Sequence, residues 1–142
     1  LPLALTVSAA LAAQFAWTIF RNRQRNIGTG HLVPALLVAL IALLTTVDHV
    51  TTWWCLREPV PGWVVAEANP FADWLFAKAG LVPGLWIDSL ITLAALVFLA
   101  TTARFTPALR TAMLTVVAAA TGYAVVNNVL AIAELGIGPF GA

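Results

Sequence analysis

The sequence predicts an all-α integral membrane protein, a four-helix bundle with a short interfacial helix between its second and third spans. Three observations carry this. Hydrophobic residues make up 61% of the 142-residue chain and charged residues 9%, too little polar surface to coat a water-soluble globule of this size. The apolar residues gather into four stretches, each close to the roughly 20 residues that cross a hydrocarbon core of roughly 30 Å. Between the second and third stretches, Pro59, Pro61, Gly62 and Pro70 break the chain so often that no long regular element can form there.

The elements follow in order within a single domain, 1–142. The first span covers about 1–20 and ends at the polar tract Arg21 to Gly30. It lacks the basic leader and small-residue cleavage site of a signal peptide, so it is expected to be retained. The second span covers about 32–54, the third about 81–102 and the fourth about 111–134. Short links make spans one and two, and three and four, antiparallel neighbours. Inside the long connection, Asn69-Pro70 reads as a helix start, because Asn caps well and Pro is tolerated at the first helical position. Phe71, Trp74, Leu75 and Lys78 then recur at helical spacing, with Asp73 on the other side, and Gly80 is a plausible stop. A helix over about 70–79 is too short to span, so it is placed at the interface, with a bend at Pro83-Gly84 before the third span.

Orientation comes from the basic residues. Arg21, Arg23 and Arg25 follow the first span and Arg104 and Arg110 follow the third, with no acidic residue in either link, whereas the long connection holds only Arg57 and Lys78. The first and third loops are therefore expected in the cytoplasm and both termini outside. Trp53, Trp54, Trp63, Trp74 and Trp86 fall at the outer boundary and only Trp17 at the inner one, an uneven aromatic rim suited to headgroups or a packed partner.

Depth then singles out a polar layer. At about 1.5 Å per residue, Asp48, Asp88, Asn127 and Asn128 all lie roughly 10 Å inside the outer edge. Carboxylates at that depth must face the bundle interior or a partner. On the second span Thr45, Asp48 and Thr52 share a face, while His49 and Thr51 are expected to point elsewhere. With Glu67 and Asn69 from the connection, the expected cluster is Asp48, His49, Thr52, Glu67, Asn69, Asp88, Asn127 and Asn128. A structural knot of interhelical hydrogen bonds is the favoured reading. Asp48, His49, Glu67 and Asp88 also have the donor types of a divalent cation site, but Asp48 and His49 project about 100° apart on a helix, so no metal or other cofactor is expected.

Several function classes are excluded. A net charge of +1, with basic residues scattered among loops, excludes a nucleic-acid partner. Cys55 is the only cysteine, so there is no disulfide or redox pair. His31 and His49 stand roughly 27 Å apart along one span and cannot share a haem iron. Gln14, where a small multidrug exporter has a glutamate, cannot carry a proton. Ser89 adjoins Asp88 but lacks a Gly-x-Ser-x-Gly setting, and His49 has no evident partner, so no enzyme is expected.

Asp48-x-x-x-Thr52, followed by Glu67-Ala68-Asn69-Pro70, resembles a family of small prokaryotic multi-pass membrane proteins of unknown function that carry Asp-x-x-x-Thr and Glu-x-Asn-Pro motifs. The resemblance implies a prokaryotic plasma (inner) membrane protein in which Asp48, Thr52, Glu67, Asn69 and Pro70 act together. The function expected is a non-catalytic accessory subunit packing against a larger membrane complex, with lipid and other membrane subunits as partners. Thr115, Ala118, Ala119, Gly122 and Ala133 in the fourth span are small enough for close helix contact. The alternative is a small transporter or ion-binding protein using Asp48, Glu67, Asp88 and Asn127.

Overall fold

The computed structural model describes residues 32–137, so the first predicted span and the Arg21 to Gly30 tract lie outside the described residues. Four helices follow one another: α1 (Leu32–Leu56), α2 (Pro70–Ala79), α3 (Leu81–Thr101) and α4 (Pro107–Leu135). The protein is all-helical here, and α1, α3 and α4 are each long and apolar enough to cross a membrane. They are the second, third and fourth predicted spans.

Helix α2 forms where the capping signals place it. Asn69 Oδ1 accepts from the Phe71 N–H at 3.0 Å, Pro70 occupies the first turn, and the Gly80 N–H closes the helix on the Phe76 carbonyl at 2.9 Å. Gly80 takes φ +88°, a left-handed conformation that side chains disfavour, which lets the chain reverse into α3 without a loop. The expected bend at Pro83-Gly84 is absent. Both residues lie in the first turn of α3, where the missing N–H of proline leaves no helical bond unmade. Gly84 serves packing instead, since a Cβ there would stand 2.5 Å from Phe76 Cδ1. Its bare backbone is the seat on which α2 lies across α3.

Helix α4 starts at Pro107, earlier than the expected 111. Thr106 Oγ1 accepts from the Leu109 N–H at 3.3 Å with Pro107 next in line, the same polar-cap-then-proline device as Asn69-Pro70. The sequence carries that signal at both places.

The apolar core sits toward the α3–α4 turn. Val38 and Ile41 of α1, Leu96 and Leu99 of α3, and Leu114 and Ala118 of α4 form it, with Ile41 and Leu114 fully buried. Helix α1 packs along α4, whereas α3 meets α4 only sparsely. Of the small residues in α4, Ala118 is in this core. Thr115, Ala119 and Ala133 are exposed among the described residues, and a Cβ at Gly122 would meet Leu44 Cδ1 at an ordinary 3.8 Å, so close approach does not depend on them.

Candidate functional site

Where α3 parts from α4, a cavity of about 270 Å³ opens between the second half of α1, the connection, α2, the first half of α3 and the second half of α4. Asp48, His49, Thr52, Glu67, Asn69, Asp88, Asn127 and Asn128 all line it, joined by Phe76 and Tyr123, which sequence reasoning did not select. Asp48, Asp88 and Asn128 lie seven or eight residues from the near ends of their helices, roughly 10–12 Å along each axis.

One side of the cluster ties α1 to α4. Asn128 Nδ2 donates toward Asp48 Oδ1 at 3.0 Å, Thr52 Oγ1 at 2.9 Å and Thr51 Oγ1 at 3.2 Å. Thr51 turns its own hydroxyl hydrogen back to the Val47 or Asp48 carbonyl and so keeps a lone pair for the amide. The expectation that Thr51 points away from Asp48 is therefore corrected. The face α4 meets is Asp48, Thr51, Thr52 and Cys55, at i, i+3, i+4 and i+7, and Cys55 Sγ lies 4.0 Å from the Asn128 carbonyl.

His49 stands about 100° round the helix from Asp48, which aims it at α3 rather than at α4. It has the partners that the sequence did not reveal: Nε2 lies 2.9 Å from Asp88 Oδ2, and Nδ1 lies 2.9 Å from Ser89 Oγ. Only 6% of the residue is exposed. Ser89 Oγ also donates toward the Leu85 carbonyl at 2.8 Å. Serine, histidine and aspartate in a chain suggest a nucleophile, base and orienting acid, but the order relative to the cavity is reversed. Asp88 lines the cavity, and Ser89 is behind the wall. A hydrolytic triad must expose its hydroxyl to substrate.

The Glu-x-Asn-Pro segment is a local cap with a spare acceptor. Glu67 Oε1 accepts from the Asn69 N–H at 2.9 Å, and Asn69 in turn caps α2. Among the described residues, Asp48 Oδ2, Glu67 Oε2 and Asp88 Oδ1 receive no protein donor, and no lysine or arginine lines the cavity. Arg57, the nearest basic residue in sequence, lies over the Trp53 ring at 4.9 Å. Among the described residues no three of His, Cys, Asp and Glu come together closely enough to hold a metal ion.

The described tryptophans gather at this end, and Trp17 lies outside the described residues. Trp63 and Trp74 are exposed, Trp74 stacking on Phe71 at 6.0 Å, while Trp53, Trp54 and Trp86 are half-buried. No family model matches the chain, and no curated protein and no solved structure matches it.

Proposed function

We propose that the protein binds a small organic cation at the end of its bundle and works as a small cation-binding or transport protein of a prokaryotic plasma membrane. One observation carries this reading. Asp48, Glu67 and Asp88 line a single cavity, each with an oxygen that no described protein donor takes, and among the described residues no lysine or arginine lines that cavity. Carboxyl oxygens left without a donor around one cavity favour an occupant that brings positive charge or hydrogen-bond donors. Phe76 and Tyr123 add ring faces, which attract ammonium groups. About 270 Å³ is just under the roughly 300–1,000 Å³ of sites for drug-sized ligands, which suits a small solute.

The apolar core supports capture rather than free conduction, since Ile41 and Leu114 are fully buried beneath the cavity. The excess of arginine in the first and third loops supports an outward-facing cavity. The reading is non-catalytic, because Ser89 is turned away from the space a substrate would enter.

Titration of purified protein in lipid nanodiscs with methylammonium and with tetramethylammonium tests it. Saturable, mutually competitive binding is expected, and Asp48→Asn with Asp88→Asn is expected to weaken it by about tenfold or more, the equivalent of about 1.4 kcal/mol. Absence of saturable binding, or affinity unchanged in the folded double variant, overturns it. A second reading, packing against a larger membrane complex, is favoured by the exposed rim of Trp63, Phe71 and Trp74. Under that reading the same double variant loses co-purifying subunits in mild detergent instead of cation affinity.

A further inference from the structure

The hydrogen-bonded chain of Asp88, His49 and Ser89 at the cavity wall has a property that fastening alone does not require. Ser89 Oγ carries one hydrogen and has two neighbours for it, the Leu85 carbonyl at 2.8 Å and His49 Nδ1 at 2.9 Å. A carbonyl can only accept. If the hydroxyl points at Leu85, Nδ1 must carry a proton and donate to Oγ. With Nε2 also donating to Asp88 Oδ2, the ring is then an imidazolium. If the hydroxyl rotates to donate to Nδ1, the ring is neutral and keeps its Nε2 proton on Asp88. Both states preserve every contact of His49 at 2.9 Å, and a hydroxyl rotation is the only rearrangement between them.

We propose that a cation in the cavity and a proton on His49 displace one another, with Ser89 as the positioning residue that accommodates either state. This rests on the reading that the cavity takes a cation. His49 bonds Asp88 and Ser89 of α3 and shares the cavity lining with Asp48 of its own helix, Glu67 of the connection and Tyr123 of α4, with no lysine or arginine among the described residues lining the space. The negative groups that would hold a cation are thus the ones that stabilise an imidazolium. Two positive charges on one acidic set repel in a low dielectric. The exchange balances: one cation enters, the N–H bond of the imidazolium breaks, its electron pair stays on nitrogen, and the proton leaves to water with no net change in charge. Cation affinity is therefore expected to fall as pH drops and to rise as pH increases.

Tetramethylammonium is the suitable probe, because it has no titratable proton. Added to the protein in weakly buffered nanodiscs at mildly acidic pH, it is expected to release up to one proton per cation bound, as linkage requires when proton and ligand exclude each other. His49→Gln is expected to bind without proton release and with little dependence on pH. Ser89→Ala is expected to keep binding but to alter its pH dependence, and Ser89→Thr to restore it, because the hydroxyl is the group that accommodates either state of the ring. In His31→Gln protein, His49 is the remaining histidine, and its ring nitrogens are expected to pass from doubly to singly protonated on addition of the cation. Tetramethylammonium binding without proton release, or release that persists in His49→Gln, overturns the exchange and leaves the cavity reading standing. Failure to bind at every pH overturns both.

Discussion

The two ends of the bundle are built from the same three long helices and solve opposite problems. At the α3–α4 turn, Ile41, Leu96, Leu99 and Leu114 meet in a dry core. At the other end, α1 still packs on α4, but through Asp48, Thr51, Thr52 and Asn128, and α3 stands away and reaches α1 through Asp88, Ser89 and His49. The α3–α4 turn keeps those helices together at the apolar end. At the cavity end α2 and the connection are added to the three spans, seated on α3 through Phe76 and Gly84. In lipid, apolar surface gains little from leaving one helix neighbour for another, so shape and hydrogen bonds decide which helices touch. The apolar end is held by shape, the polar end by bonds.

This contrast can be broken by substitution. Leu114→Ala carries the largest expected effect, about 2–3 kcal/mol, at the low end of the range for buried leucine truncations because lipid removes part of the transfer term. Reversible unfolding in mixed micelles measures it, and cation affinity is expected to hold. Loss of binding from a protein that stays folded would show that the two ends are not independent. Gly84→Ala comes next, at about 1–3 kcal/mol, since the new methyl meets the Phe76 ring at 2.5 Å. Because that displaces α2 from α3, it is expected to alter the cavity as well as stability, the reverse of the Leu114 result. Asn128→Ala is the smallest, about 0.6–2 kcal/mol, as one amide is shared among Asp48, Thr51 and Thr52. It is expected to loosen α1 from α4 at the polar end only, seen as faster amide exchange around Thr51; unchanged exchange would deny Asn128 its fastening role.

The helices were legible because their causes are local. Asn69-Pro70 and Gly80 bracket α2, and the apolar runs make the spans. Thr106-Pro107 was equally local and shows that the rule reached further than its first use. The polar layer was legible from depth alone, since helix rise places Asp48, Asp88 and Asn128 at one level. The partners of His49 were not legible. Ser89 has no motif around it, and its meeting with Nδ1 depends on how α3 is rotated against α1, which packing sets. The roles of Thr51 and Cys55 were hidden for the same reason, because the direction of α4 selects which face of α1 is covered.

By itself the sequence determined that the chain is a helical membrane protein, where the three described spans run, how α2 begins and ends, and at what level its carboxylates lie. Those follow from capping, from helix rise and from the incompatibility of long apolar runs with water. Only the tertiary structure decided that Asp48 turns to α4 and His49 to α3, that three carboxylates share one cavity, and that Ser89 stands behind the wall rather than in it. Residues about 100° apart on one helix acquire different neighbours only when other helices arrive, and that arrival is a property of the whole bundle.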